Sequence, residues 1–167
     1  MPKLSKKMVK ELNAQLGREL SAANQYLAMA IHLDDKSLNE LAAFFYAQSE
    51  EERGHAMKFL HYLLQANEMP VVPEVPKPVA TFKSIEQIAE MSLEQEQEVT
   101  RCIHHLVDLA LAEKDHTTNH FLQWFVEEQL EEEATISELL DVIRQSENLL
   151  LVEQYVFRQK PGEGGGE

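Results

Sequence analysis

The residues with the clearest chemical potential in this sequence are a glutamate and a histidine three positions apart, Glu52 and His55. On a helix this spacing places a carboxylate and an imidazole on adjacent turns of one face, and both groups are good ligands for first-row transition metals. Steps of three and four residues from this pair trace a mostly apolar and aromatic stripe, which comprises Phe45, Gln48, Phe59, Tyr62 and Ala66. The pair is therefore predicted to face a helix-bundle core, where a carboxylate is costly unless it is paired, hydrogen-bonded or bound to a metal. The alternative is a chance E-x-x-H on an exposed helix of an acidic protein.

A lone glutamate also interrupts the apolar stripe of each of three other predicted helices. The inner line of the first helix is Leu12, Leu16, Glu19, Ala23, Tyr26 and Ala30. The predicted line of the third is Ala89, Leu93, Glu96, Thr100, Ile103, Val107 and Ala110, and that of the fourth is Phe121, Phe125, Gln129, Glu132, Ile136, Leu139 and Ile143. One inward glutamate could reflect a misassigned stripe, but four at matching heights would repel one another unless cations hold them. The pattern favours a two-metal carboxylate site inside a four-helix bundle.

The helices that position these residues are predicted at about 5–34, 39–65, 84–113 and 117–145, with no strand pattern between them. Residues 67–83 contain four prolines and are predicted to be extended. Seventeen extended residues can reach roughly 55 Å, whereas the second helix is roughly 40 Å long. The segment can therefore run the length of the bundle, so that the third helix starts parallel to the second after a long crossover.

Residues 147–157 form a short segment that is apolar almost all round, and they are predicted to be a fifth helix. Because the four-helix core is already complete, we expect this helix to bury its apolar surface against other subunits. The alternative is a fifth helix packed on its own bundle. The sequence thus predicts one domain over residues 1–158, followed by a flexible glycine-rich tail over residues 159–167.

The composition narrows the range of functions. A formal net charge of −14 argues against a nucleic-acid partner and favours cations. A single cysteine excludes an intramolecular disulfide framework and a cysteine-rich metal site. No apolar run approaches the ~20 residues that span a membrane, and no signal-peptide core follows the first residues. We expect a soluble, cytoplasmic protein with no membrane partner.

From about residue 5 to residue 157 the chain resembles the non-haem ferritins of bacteria and archaea. The resemblance is carried by Glu19 with Tyr26, by the EERGH stretch at 51–55, and by Glu96 within EQEV. Its most specific part is the run NHFLQWFVEEQLEEE at 119–133, which resembles the fourth-helix signature of that family. The implied fold is all-α: a ferritin-like four-helix bundle with a long crossover between helices 2 and 3 and a short C-terminal fifth helix.

The resemblance also implies roles for individual residues. Five side chains would bind a pair of irons: Glu19, Glu52, His55, Glu96 and Glu132. Within this set Glu52 would bridge the two irons. Gln129 would orient the site, and Tyr26 would lie beside the metals as an electron donor. A third, outer iron site would be formed by Glu51, Glu128, Glu131 and Glu132, for which the alternative is a solvated acidic face.

The function implied by the resemblance is iron storage. Each subunit would oxidise Fe²⁺ to Fe³⁺ with O₂ or H₂O₂ at a di-iron ferroxidase centre, and the ferric mineral would be kept in a hollow homo-oligomeric shell of 24 subunits. Haem is not expected, because Arg53 stands where haem-binding relatives carry methionine. Two rival functions are a di-iron oxidase or peroxidase without a storage role and a passive metal-binding shell. His104, His105, His116 and His120 are expected at the surface, although His116 and His120 could line an iron pore.

Overall fold

A computed structural model describes residues 3–159, and within that range the chain is helical and contains no strand. The helices are α1 (Lys6–Asp35), α2 (Asn39–Gln65), α3 (Ile85–Ala112), α4 (His116–Gln145) and α5 (Leu149–Gln159). The all-α prediction is confirmed, and the sequence-derived helix ends lie within two residues of the observed ones. None of the helices in the described range is long and apolar enough to cross a membrane. The predicted tail, apart from Gln159, lies outside the described residues.

The starts of α1 and α3 are capped by serine side chains. Ser5 Oγ accepts a hydrogen bond from the Met8 amide at 2.9 Å, and Ser84 Oγ accepts one from the Gln87 amide at 3.1 Å. The Gln87 side chain reaches back to the Lys83 amide at 2.7 Å, as in a capping box shifted by one residue. These caps satisfy amides that have no partner within the helix, and they fix where α1 and α3 begin.

The connection between α2 and α3 runs along α1. The Val71 amide donates to Asn13 Oδ1 at 2.6 Å, and further along the segment the backbone of Val79 exchanges two hydrogen bonds with the Gln25 side chain. A side chain at Gly17 would collide with Pro73, because a Cβ built there would lie 2.8 Å from the proline Cγ. The segment therefore retraces the bundle, and the predicted long crossover is confirmed.

Two apolar clusters fill the bundle on either side of a polar middle layer. One cluster is built mainly from Met8, Leu12, Leu16, Phe59, Leu63, Ile103, Leu106, Leu122 and Phe125. The other contains Tyr26, Met29, Leu33, Leu41, Phe45, Ile88, Leu139, Val152 and Val156. The glutamates predicted to point inward lie between these clusters, so burial of apolar surface on both sides positions the polar layer.

Two sequence-based predictions need correction. The inner line predicted for α3 is wrong at Leu93, Thr100 and Val107, which are only half-buried. The fully buried line instead runs through Ile88, Ser92, Glu96, Val99, Ile103, Leu106 and Ala110. Both lines pass through Glu96 and Ile103, and the helical period of 3.6 residues lets a small error in phase exchange neighbouring positions.

The second correction concerns α5, which was predicted to bury its apolar surface against other subunits. Val152 and Val156 are buried on the bundle of their own chain, against the cluster that contains Phe45 and Leu139. The remaining apolar surface of α5 is exposed and comprises Leu149, Leu150, Leu151 and Phe157. The helix therefore has two apolar faces, and only one of them is covered within the subunit.

Candidate metal centre

Two helices, α1 and α2, bring three buried ligand groups together in the middle layer. Ligand atoms of Glu19 from α1 and of Glu52 and His55 from α2 all lie within 4.8 Å of one another. His55 Nδ1 is 3.2 Å from Glu52 Oε2 and 4.0 Å from Glu19 Oε2. The exposed fractions of these side chains are 3% or less. The E-x-x-H pair therefore lies in the core, and its alternative as a chance motif on an exposed face is excluded.

Glu96 from α3 and Glu132 from α4 complete the layer. The hydroxyl of Tyr26 donates a hydrogen bond to Glu96 Oε1, and the Gln129 amide nitrogen donates to Glu96 Oε2 at 3.1 Å and to the Glu96 backbone carbonyl at 3.2 Å. Glu132 is 5% exposed. Tyr26 and Gln129 thus hold the Glu96 carboxylate from two sides, which fixes its orientation.

Sequence reasoning missed Gln15, whose amide nitrogen donates to Glu19 Oε1 at 2.8 Å. Gln15 is completely buried and lies one turn before Glu19 on α1. The available signal was its spacing of four residues from a predicted ligand, which places a polar donor directly behind that carboxylate. Gln15 and Gln129 therefore each donate a hydrogen bond that orients one glutamate of the layer.

Burial and mutual repulsion raise the pKa of the inward carboxyl groups. For Glu19 and Glu52 burial is the largest cause, followed by the negative charge of Glu52 on Glu19 and of Glu96 on Glu52. Burial also raises the pKa of Glu96, and burial together with the charge of Glu96 raises the pKa of Glu132 to about 9. Without a cation, the cluster therefore retains bound protons at neutral pH.

The donor set fits iron. Among the described residues, Glu19 Oε2 and Glu52 Oε1 are buried carboxylate oxygens that accept no hydrogen bond. A buried oxygen without a partner is destabilising unless a cation or a proton satisfies it. Several anionic oxygens with one imidazole nitrogen form a hard donor set that suits iron and stabilises Fe³⁺ relative to Fe²⁺.

A second group of possible ligands lies on the rim of the same layer. Atoms of Glu51, His55, Glu128 and Glu132 all lie within 4.8 Å of one another. His55 Nε2 is 3.8 Å from Glu128 Oε1, so the imidazole lies between the inner and outer groups. Glu131 is exposed and does not belong to either group. Burial is the main cause that raises the pKa of Glu128, and the charges of Glu51 and Glu131 add to it.

The remaining features singled out in the sequence lie away from the inner cluster or at its edge. His104, His105, His116 and His120 are exposed, as expected. Trp124, which is 38% exposed, packs edge-on to His55 with 5.4 Å between ring centroids. It therefore covers the site from outside the core.

Comparison with known proteins agrees with this geometry. Residues 9–146 match the model of a family described as a ferritin-like domain. A bacterial non-heme ferritin of Campylobacter jejuni is 40% identical over 157 residues, which cover 92% of this chain and 94% of the relative. Ferritin BfrB of Mycolicibacterium smegmatis is 36% identical, with 90% of this chain and 83% of the relative covered. An open-pore ferritin from Archaeoglobus fulgidus superposes with a TM-score of 0.89 at 34% identity, covering 92% of this chain and 97% of that one.

Proposed function

Because this chain belongs to the ferritin family and is similar to bacterial non-haem ferritins, we propose that the buried carboxylate layer is the ferroxidase centre of an iron-storage subunit. The observation that carries the proposal is the convergence of ligands from four helices on one buried layer. Two of these carboxylates have an oxygen without a hydrogen-bond partner. A pair of Fe²⁺ ions would satisfy these oxygens and neutralise the repulsion among the carboxylates.

Different residues of the layer bind the two Fe²⁺ ions, which are the substrate. Glu19 and His55 hold one iron, Glu96 and Glu132 hold the other, and Glu52 lies between them. Since these carboxyl groups bind protons when the site lacks iron, Fe²⁺ binding releases protons as the carboxylates ionise. Tyr26, Gln129 and Gln15 keep the ligand oxygens oriented, so that little rearrangement is needed when iron enters.

The chemistry is the transfer of electrons from the iron pair to O₂ or H₂O₂. Two Fe²⁺ give two electrons, which with two protons convert O₂ to H₂O₂ or H₂O₂ to two H₂O, leaving two Fe³⁺. The hard oxygen ligands favour this direction because they bind Fe³⁺ more strongly than Fe²⁺. Fe³⁺ then leaves for the mineral by way of the acidic rim, where Glu51 and Glu128 offer a third position. No haem takes part.

We further propose that 24 such subunits enclose the mineral in a hollow shell inside the cell. Size-exclusion chromatography after loading with Fe²⁺ in air tests the proposal. We expect a large assembly in which ferric iron co-elutes with protein far in excess of the two or three irons that each centre can hold. An oxidase without storage would oxidise iron and leave it outside the protein. A passive shell would bind iron without accelerating its oxidation.

A further inference from the structure

A column of aromatic rings leads from the metal centre towards the start of α4. The ring of His55 lies 6.0 Å from that of Phe125, and Phe125 lies 5.4 Å from Phe121, both distances being between centroids. Phe121 stacks on Tyr62 with a centroid distance of 4.0 Å and an interplanar angle of 8°. We refer to Phe125, Phe121 and Tyr62 as the aromatic ladder. Because Tyr62 is seven residues after His55 on α2, the ladder spans about 10 Å along the helix.

The far end of the ladder has a route for a proton. The Tyr62 hydroxyl lies 2.7 Å from Thr118 Oγ1, and Thr118 Oγ1 donates to Asp115 Oδ2 at 2.5 Å. A hydroxyl group carries a single proton, so a threonine that donates to Asp115 must accept from Tyr62. Tyr62 and Thr118 are buried, whereas Asp115 is only half-buried at the N-terminus of α4. The three groups therefore form a relay from a buried phenol to a carboxylate at the protein surface.

We propose that Tyr62 is a redox-active residue, which gives one electron to the metal centre through the aromatic ladder and its proton to Asp115 through Thr118. This proposal rests on the proposed ferroxidase function. Burial raises the pKa of the Tyr62 phenol, so the group stays protonated at neutral pH and must lose its proton when it is oxidised. The relay accepts that proton, and the product is a neutral tyrosyl radical.

The electron is needed when H₂O₂ meets a centre that holds a single Fe²⁺. Breaking the O–O bond and forming two H₂O requires two electrons and two protons. The iron supplies one electron as it becomes Fe³⁺, and Tyr62 supplies the other. The two protons come from solvent or from the protonated carboxyl groups of the cluster, while the Tyr62 proton remains on Asp115. Without this second electron, the same encounter would release a hydroxyl radical next to the ligands.

The surroundings favour Tyr62 over two other oxidisable side chains. Trp124 also packs against His55, but Lys58 Nζ lies 3.9 Å from its ring centroid. A cation in that position opposes the removal of an electron from the ring. Tyr26 donates its hydrogen bond to Glu96, so its oxidation would put a proton on a proposed iron ligand. Oxidation of Tyr62 leaves the ligand set unchanged.

Rapid-freeze electron paramagnetic resonance tests the proposal. Protein loaded with less than one Fe²⁺ per subunit is mixed with one equivalent of H₂O₂, and a radical trap followed by peptide mass spectrometry identifies the oxidised residue. We expect a tyrosyl signal that changes when the tyrosine rings are deuterated and a trap adduct on Tyr62. Tyr62→Phe should abolish both, and Thr118→Val should weaken both by removing the proton acceptor. Tyr46→Phe is the matched control, because Tyr46 bonds to Asp34 and lies off the ladder.

Two results would overturn the proposal: the absence of a radical in the wild type, or a signal that survives Tyr62→Phe and depends on Tyr26 instead. Tyr62→Phe retains the ring that stacks on Phe121, and its fold is checked by circular dichroism. Wild-type protein loaded with two Fe²⁺ per subunit and exposed to O₂ distinguishes failure of the proposed ferroxidase function from failure of the role of Tyr62. If the wild type fails to oxidise Fe²⁺ pairs, the proposed ferroxidase function fails. If it oxidises them and Tyr62 stays unmodified, only the role of Tyr62 fails.

Discussion

His55 presents its two ring nitrogens to two different groups of carboxylates. Nδ1 faces Glu52 and Glu19 in the inner cluster, whereas Nε2 faces Glu128 on the rim. In a neutral imidazole one nitrogen carries the proton and the other can bind a metal, so binding of iron at one group decides what the ring offers to the other. At the scale of single residues, the inner and outer sites are therefore coupled through one side chain.

The first residue-scale prediction concerns Glu52. Replacing Glu52 with alanine should slow the fast phase of Fe²⁺ oxidation by at least about tenfold, which corresponds to about 1.4 kcal/mol in the barrier, because the carboxylate between the two irons is lost. The fold should survive, since removing one member of a buried like-charged cluster can be neutral or stabilising. Stopped-flow absorbance measures the rate. Glu50→Ala is the control, because Glu50 is exposed on the same helix; equal rates in the two variants would refute the assignment.

The second prediction concerns pH and the iron-free protein. The pKa of Glu132 in the folded state is raised to about 9 from an ordinary value of 4.5. A carboxyl group with a raised folded-state pKa contributes stability that is fully present below about pH 4.5 and is lost as the pH rises towards 9. We therefore expect the melting temperature of the metal-free protein to fall between pH 6 and pH 9, and to fall less in Glu132→Gln. Calorimetry of both proteins with chelator present measures the difference, and parallel curves would contradict the prediction.

The third prediction separates the glutamates of the outer site. The structure brings Glu51 and Glu128 together with His55 and Glu132, whereas Glu131 lies outside this group. We expect Glu51→Ala and Glu128→Ala to keep two tight irons per subunit and to lose a third, and Glu131→Ala to act only weakly through charge. Metal-soaked crystals at saturating iron count the occupied positions. If the wild type shows only two occupied iron positions per subunit, the outer glutamates are solvated surface charge and do not form an iron site.

At the scale of helices, the apolar period was sufficient to predict α1 and α2, including which of their residues face the site. The apolar period predicted α3 less well. Leu93 and Val107 are apolar residues that lie next to buried positions, so the period alone could not exclude them from the buried face. The spacing of four residues between Gln15 and Glu19 was the available signal, but this spacing does not distinguish a buried glutamine from an exposed one. Apolar periodicity indicates which face of a helix is buried, but only the packed structure shows which groups a buried polar side chain contacts.

The packing of α5 could not be predicted from the sequence either, because it depends on a contact between α5 and the start of α2. Glu153 Oε2 accepts hydrogen bonds from the backbone amides of Glu40 and Leu41, at 2.7 and 3.2 Å. Leu38 occupies the N-cap position of α2 and provides no side-chain cap. A carboxylate 113 residues further along the chain therefore does the work that a local serine or aspartate usually does.

A fourth prediction follows from this contact. Glu153→Ala should destabilise the protein by about 1 kcal/mol, as the loss of an N-cap does, and should loosen α5. Amide hydrogen exchange at the start of α2 and throughout α5 should accelerate, because each holds the other in place. Glu147→Ala is a suitable control, since Glu147 precedes α5 and is exposed. Exchange that speeds up only within α5 would show that Glu153 does not cap α2.

At the scale of the whole molecule, the end of the bundle that carries α5 has exposed apolar surface. The end that carries α5 exposes three consecutive leucines, Leu149–151, together with Phe157. The helix α5 also lines a cavity of about 420 Å³ through Tyr155, together with Phe44 of α2 and Leu139 of α4. Exposed apolar surface of this kind usually marks a contact with another subunit. The net charge of −14 opposes association of the subunits, and burial of this apolar surface would offset that repulsion.

The last prediction tests α5 as the element that closes the assembly. Deleting residues 147–167 should remove both the exposed leucines and the two valines that seal the bundle, so that large assemblies give way to smaller or unstable ones in sedimentation. Deleting only residues 161–167, which lie outside the described range and contain no apolar anchor, should leave the assembly unchanged. Replacing Leu150 and Leu151 with serine separates the two effects, because both are exposed and the buried valines are retained. If that variant sediments as the wild type does, the apolar face of α5 is not a subunit contact and the assembly is held elsewhere.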